Sequence, residues 1–332
     1  MGMSEQIPTV IPRVLITGAN GFVGRYQSSA LRAQFPDGVD IIETSRRQDI
    51  DVTAPDQATT ALDVTDADGV ADAIRTFRPT HLINLAGIAS VNAANADPAK
   101  SWQVHLHGPL NLANALFEHA PNAVLISVGT GLVYGASAHT SAVLSEDSLL
   151  TPTNTYEASK AGGDLALGAM ISQGLRCLRM RPFNHIGPGQ SEEFAVPSFA
   201  MQVARIEAGL QLPVLRVGNL EAERDFLDVR DVARAYALAV AKSHQIPSGT
   251  ILNIASGTAV RISSILQRLL AQSRVPITVE QDPARMRPSD TPRYVGNATR
   301  ARTLLDWTPA YDLDETLHSV LDHCRKRLRM TA

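Results

Sequence analysis

A short apolar run, Val14-Leu15-Ile16-Thr17, passes directly into Gly18-Ala19-Asn20-Gly21-Phe22-Val23-Gly24 and then into a stretch of helical period. This order of strand, glycine turn and helix constrains the fold more than any other feature of the chain. Gly18 permits a tight turn, Gly21 lets a pyrophosphate approach the backbone, and Gly24 lets the helix pack close to a sheet. The free N–H groups and dipole at the helix start attract phosphate oxygens. In this context the motif predicts a dinucleotide cradle formed by Gly18, Asn20, Gly21, Phe22, Val23 and Gly24, the alternative being a glycine-rich turn of another α/β protein.

The flanking sequence agrees with a parallel sheet. Short apolar strands are predicted at Arg13–Thr17, Asp40–Thr44, Thr60–Leu62, His81–Leu85, Ala123–Val128 and Leu175–Arg181, and amphipathic helices at Gly21–Gln34, Asp66–Phe77, Pro98–Glu118 and Tyr156–Ser172. That alternation gives an α/β, Rossmann-like doubly wound sheet covered on both faces, with ligands at the carboxyl ends of its strands. Beyond Arg181 the rhythm breaks at Pro182, Gly187, Pro188 and Gly189. A smaller C-terminal lobe follows, with helices at Pro197–Gly209, Asp231–Ser243, Ile262–Gln272 and from Thr299 onward, and strands at Leu215–Val217 and Thr250–Ile254. The last strand is expected to rejoin the main sheet. The predicted division is 1–181 plus about 225–256 for the dinucleotide-binding domain, and 182–224 with 257–332 for the second lobe.

Composition narrows the function. The 332 residues are 44% hydrophobic, enough for a full α/β core, and the net charge of −3 gives no footprint for nucleic acid or a membrane surface. The basic run Arg325-Lys326-Arg327-Leu328-Arg329 falls at a helix C-terminus, where cations complement the dipole. Cys177 and Cys324 form no CxxC pair, so neither a structural metal nor a disulfide framework is expected, in keeping with a reducing cytoplasm. The N-terminus has neither the basic nor the apolar region of a secretion signal, and no apolar run reaches membrane-spanning length.

About 20 residues past the cradle stands Glu43-Thr44-Ser45-Arg46-Arg47. A carboxylate here would take an adenosine ribose 2′-hydroxyl and favour NAD(H). Strand alternation points Glu43 elsewhere, while Ser45, Arg46 and Arg47 suit a 2′-phosphate, so NADP(H) is favoured over NAD(H). Ordinary surface charge is the other reading of the arginine pair.

Tyr156 and Lys160 lie four apart, on one face of a predicted helix. The chain holds only four lysines, which makes this spacing informative. A phenol with a pKa near 10 is a poor acid–base at neutral pH, and a nearby ammonium is expected to lower it. Tyr156 then becomes a workable general acid or base. Thr130, just past the strand Ala123–Val128, stands where its hydroxyl can share the same substrate oxygen.

Gly18 to Gly24, Thr130-Gly131-Leu132-Val133-Tyr134-Gly135, Tyr156-Glu157-Ala158-Ser159-Lys160 and Arg181-Pro182-Phe183-Asn184-His185 occur in one order. In that order they resemble the extended short-chain dehydrogenase/reductases, the nucleotide-sugar-modifying branch of the superfamily, over nearly the whole chain. The resemblance implies a catalytic set of Thr130, Tyr156 and Lys160. It also implies that Asp63 and Val64 meet the adenine, that Leu85, Ala86 and Gly87 line the cofactor, and that Ser127, Val128 and Phe183 lie on its nicotinamide side. Relatives dimerise through helices equivalent to 98–118 and 156–172. One departure stands out. Where the family has Val-Asn-x-x-Gly-Thr, this chain has Val104-His105-Leu106-His107-Gly108-Pro109, which puts a water-linked proton relay through that helix in doubt.

Sugar-nucleotide 4,6-dehydratases carry a carboxylate two residues before the tyrosine of Thr-x-x-x-Tyr-Gly. Leu132 occupies that position here and cannot transfer a proton. Reductases and NDP-sugar 4-epimerases with tightly bound NAD remain. The stretches 181–190 and 217–231 are similar to those of GDP-4-keto-6-deoxy-D-mannose reductases, which make GDP-D-rhamnose. That similarity implies a GDP-sugar substrate met by Thr130, Asn184, Val217, Arg224, Arg287 and Asp290, Arg224 pairing with its diphosphate. A salt bridge of Arg224 with Asp228 is the alternative.

Overall fold

The computed structural model describes residues 11–46, 59–286 and 291–331. The expectations placed on Arg47, Arg287 and Asp290 lie outside these residues. The first half runs β1 (Arg13–Thr17), α1 (Gly24–Gln34), β2 (Asp40–Ser45), β3 (Thr60–Ala61), α2 (Ala67–Phe77) and β4 (His81–Asn84). Next come α3 (Val91–Ala96), α4 (Pro98–Trp102), a π-helical turn (Gln103–His107), α5 (Gly108–His119), β5 (Val124–Val128), α6 (Thr155–Ile171) and β6 (Cys177–Pro182). In the second half are β7 (Asn184–Ile186), α7 (Ala195–Glu207), β8 (Val214–Val217), β9 (Glu223–Asp228), α8 (Val229–Lys242) and β10 (Ile251–Ile254). The chain closes with β11 (Ala259–Arg261), α9 (Ile262–Leu270), β12 (Thr278–Gln281), β13 (Arg293–Tyr294), α10 (Thr299–Leu305) and α11 (Leu313–Thr331).

A parallel seven-stranded sheet forms in the order β10-β6-β5-β4-β1-β2-β3. Strand order reverses between β1 and β4, which is where a doubly wound sheet opens its ligand crevice. Side chains alternate across the sheet. Val14, Ile16, Ile83 and Ile126 face a core closed by α1 and α8, while Leu15, Leu82 and Leu125 face one closed by α2, α5 and α6. Burial on both sides explains why these strands read as unbroken apolar runs. A third core, with Val196, Phe199, Leu215, Ile265 and Leu317, fills the second lobe. There β9 pairs with β7, β11 and β13, and β8 pairs with β12.

The predicted helix over 98–118 is interrupted. Pro109 has no N–H to return to the carbonyl of His105, and the Gly108 N–H instead reaches Gln103, five residues back. The bulge leaves the His105 carbonyl facing α6, where a Cβ on Gly163 would lie 2.1 Å from it. The helical tail is also split, at 306–312, by a segment that buries Trp307 and bonds its indole N–H to the Asp231 carbonyl. Among the described residues no helix is long and apolar enough to cross a membrane.

Candidate active site

The glycine turn leaves β1 at its carboxyl end. Gly18 has φ +70°, and a Cβ there would lie 2.8 Å from the Ala86 amide nitrogen; one on Gly24 would lie 2.3 Å from the Ala19 carbonyl. Both positions therefore exclude a side chain, so α1 begins hard against the strand edge. No side chain caps the start of α1, and its first turn carries no acid. These are the conditions for holding an anionic diphosphate. Asn20, Gly21, Phe22 and Val23 form the rim, the Phe22 ring stacked on His185 of β7 at 5.9 Å.

At the far end of the cradle, Glu43 is occupied: the Ser28 hydroxyl on α1 donates to its carboxylate. Asn20 Nδ2 donates to Ser45 Oγ at 3.0 Å, and Thr59, a residue not anticipated from sequence, joins this cluster. Arg46 is exposed beside it. Burial opposes ionisation of Asp63, yet the N–H and hydroxyl of Thr65, with Arg46 and Lys100, hold its carboxyl below the usual range. Val64 packs into the position that only Gly108 leaves open. Leu85 and Ala86 are half-buried after β4, and Gly87 is exposed.

The N-terminus of α6 is fixed by Asn154, which accepts the Glu157 N–H at 3.1 Å, while Glu157 reaches back to the Thr153 N–H at 2.7 Å. This reciprocal cap sets the first turn, where Tyr156 sits. The Tyr156 hydroxyl faces Thr130, and both residues are buried. Thr130 in turn accepts the Leu132 N–H at 3.2 Å. One turn on, Lys160 Nζ lies 3.5 Å from the Val128 carbonyl. The three expected catalytic side chains thus meet at the carboxyl end of β5, beside Ser127 and Val128.

The electrostatics differ from the sequence expectation. Burial pushes the Tyr156 phenol up, and the neighbouring Thr130 side chain offsets this only in part. Burial lowers the Lys160 ammonium to about 8. The site therefore holds a protonated phenol and a cationic lysine at neutral pH, the pairing suited to giving a proton.

Beneath the pair lies a buried ionic network. Arg181 makes two 2.9 Å bonds to Asp164, one turn beyond Lys160. Arg179 adds another of 2.9 Å, and Arg181 also donates to the Tyr134 hydroxyl at 3.0 Å. Tyr134 donates to Asn253 of β10 at 2.7 Å. Asn84, Ser127, Asp164, Arg179 and Lys160 line a cavity of about 20 Å³, room for one water.

Other expected residues are placed less directly. Phe183 is 4% exposed and packs behind Gly131 against Tyr134 and Tyr294. Val217 lies in the lobe's core. Asn184 is half-buried on β7. Arg224 donates to the Glu223 carbonyl at 2.8 Å, and burial lowers its pKa. Asp228, the alternative partner for Arg224, pairs with Arg230 at 2.7 Å.

Comparison with known proteins agrees with this architecture. Residues 15–320 match the family described as GDP-mannose 4,6 dehydratase. The chain is 33% identical over 326 residues to a GDP-6-deoxy-D-mannose reductase of Pseudomonas aeruginosa, covering 96% of this chain and 98% of that protein. Its fold matches the structure of RMD from Pseudomonas aeruginosa complexed with NADPH at TM-score 0.82 and 30% identity, over 96% of this chain and 100% of the other. A UDP-glucose 4-epimerase of Thermus thermophilus in complex with NAD matches at TM-score 0.80 and 28% identity, over 94% and 99%. With a dinucleotide cradle, a Thr/Tyr/Lys cluster at the strand edge and these relatives, the chain belongs to the GDP-mannose 4,6-dehydratase family of extended short-chain dehydrogenase/reductases and is a nucleotide-sugar oxidoreductase.

Proposed function

We propose that this protein reduces the 4-keto group of GDP-4-keto-6-deoxy-D-mannose to give GDP-D-rhamnose, with NADPH as the preferred reductant. The observation that carries the reading is the meeting of buried Tyr156 and Thr130 at the carboxyl end of β5, with Lys160 one turn away at the Val128 carbonyl and an apolar side chain at Leu132. A bound reduced nicotinamide supplies hydride to C4. Tyr156 donates its phenolic proton to the carbonyl oxygen, and Thr130 holds that oxygen in place. Lys160 provides positive charge beside the forming phenolate. Leu132 leaves no acid for the elimination a dehydratase performs. The relative from Pseudomonas aeruginosa supports a GDP-sugar substrate. The NADPH preference is supported by the bonding of Glu43 to Ser28, which leaves the hydroxyls near Ser45, and Arg46, to meet a 2′-phosphate. Dimerisation across α4, α5 and α6 fits the exposure of Leu165 at 59% and Trp102 at 38% on that face.

The test is incubation with NADPH or NADH and a panel of GDP-, dTDP- and UDP-linked 4-keto-6-deoxy sugars, following nicotinamide absorbance and product identity. GDP-rhamnose formed from NADPH is the expected result. Replacement Tyr156→Phe should lower kcat about 10²- to 10⁴-fold while nucleotide binding stays near that of the wild type. Near-wild-type turnover in that variant would refute the assignment. The NAD-bound epimerase relative supports a second reading, a 4-epimerase, which requires that the purified protein retain stoichiometric NAD and act without added reductant.

A further inference from the structure

His105 is buried and is untouched by the chemistry above. Its two ring nitrogens are both engaged. The Ile88 N–H lies 3.0 Å from Nε2, and Ser159 Oγ lies 2.8 Å from Nδ1. A backbone N–H can only donate, so Nε2 must accept. The ring proton therefore sits on Nδ1 and is donated to Ser159 Oγ. The serine hydroxyl in turn donates a hydrogen bond to the Tyr156 carbonyl at 3.1 Å. Hydrogen bonding thus runs one way, from Ile88 through His105 and Ser159 to the residue that bears the phenol. The imidazole also stands edge-on to the Tyr156 ring, centroids 5.6 Å apart at 89°.

We infer that His105 is a positioning residue: a neutral ring, bonded at both nitrogens, that ties the cofactor-lining loop 85–88 to the helix carrying Tyr156 and Lys160. The inference rests on the proposed roles of those two residues. The geometry leaves no second arrangement. Protonating Nε2 would set its N–H against the Ile88 N–H. It would also place an imidazolium beside the Lys160 ammonium; a methyl on Gly87 would lie 3.0 Å from Lys160 Nζ and 3.7 Å from His105 Nε2, so the three share one small volume. Burial and the Lys160 charge accordingly hold the imidazole pKa to about 3. His105 is thus a spacer and not a proton shuttle. Asparagine would set its amide at the depth of Nδ1 and reach Ser159 alone; glutamine would set its amide at the depth of Nε2 and reach Ile88.

Two measurements on the full-length protein test this. Side-chain ¹⁵N NMR of histidine-labelled protein, with the His105 signals identified by their loss in His105→Gln, should show the neutral Nδ1–H tautomer from pH 5 to 8. An Nε2–H tautomer, or imidazolium at pH 6, would overturn the inference. Direct NADPH binding should weaken about tenfold in His105→Phe, which keeps a ring but leaves the Ile88 N–H unmet, and stay within about threefold of wild type in His105→Gln. Ser159→Ala should leave NADPH affinity unchanged and lower kcat several-fold, since only the helix end of the link is cut. Wild-type NADPH affinity in His105→Phe, or equal weakening in the Phe and Gln variants, would show that the ring merely fills space. If the Phe variant fails to fold, the Gln and Ser159→Ala pair decides. None of the NMR or binding readouts requires turnover, so failure of the reductase reading would leave them standing.

Discussion

The proposed reduction requires Lys160, and the fold opposes its charge. Burial brings its pKa from the model-compound 10.5 to about 8. The folded value lies below the unfolded one, so the cationic form is penalised by folding. Stability is greatest above the unfolded pKa and is lost as pH falls through 8, reaching about 3 kcal/mol of penalty at neutral pH. Lys160→Met, close in volume, should therefore raise unfolding free energy at pH 7 by roughly 1–3 kcal/mol while abolishing reduction. Urea unfolding at pH 7 and pH 9.5 checks this: the gain should shrink at the higher pH, and a destabilised variant would contradict it. The same shift sets activity. With Tyr156 pushed up and Lys160 near 8, kcat/KM for reduction should be level from pH 6 to 7.5 and fall above about 8, because kcat/KM reports the free enzyme's ionisations. A profile level to pH 9.5 would contradict it. Residues of this site were legible where local spacing carried them. Tyr156 and Lys160 share one helix face, and Gly18, Gly21 and Gly24 follow the demands of a turn. Thr59 and Asp164 were not, since their partners Asn20 and Arg181 lie 39 and 17 positions away and only the sheet brings them together.

At the scale of elements, the contact between α6 and the π-turn sets where the phenol and ammonium stand. Gly163 is the point of closest approach. Gly163→Ala would put a methyl 2.1 Å from the His105 carbonyl, a backbone atom with little freedom to move. The helix must then shift outward, at about 1–3 kcal/mol by the usual cost of overpacking. Thermal unfolding should fall accordingly, and kcat should drop more than KM rises because Tyr156 moves with α6. Unchanged kcat would mean the helix position is not set here. The parallel strands were legible because each is buried on two faces and reads as an apolar run. The break after Trp102 was not, although Pro109 lay in view: a proline inside a helical pattern signals an end or a kink, and only packing against Gly163 turns it into a π-turn. The short strands β7, β9, β11 and β13 were missed for another reason. Glu223-Arg-Asp-Phe-Leu-Asp228 and Arg293-Tyr294 are too polar or too brief to carry a period-2 pattern, and pairing across distant sequence makes them strands.

Across the whole molecule, the second half of the chain completes the first. β10 supplies the edge partner of β6, α8 packs on α1, and Asn253 closes the chain of buried polar groups running from Asp164 through Arg181 and Tyr134. A fragment ending at residue 182 would lose all three. Its β6 would present an unpaired edge, and Val14, Ile16 and Ile126 would lose the cover of Val232, Ala235 and Tyr236. Arg181 and Asp164 would keep each other, while the Tyr134 hydroxyl would lose its acceptor in a buried setting, a further cost of about 1–3 kcal/mol. These losses fall on a domain whose net stability is only about 5–15 kcal/mol. The fragment 11–182 should therefore show no cooperative thermal transition and should bind a hydrophobic dye, while the full chain melts in one step that NADPH moves upward. A native-like, cooperatively melting fragment would mean that the glycine-turn half is a self-sufficient domain and that the returning elements serve only the second lobe.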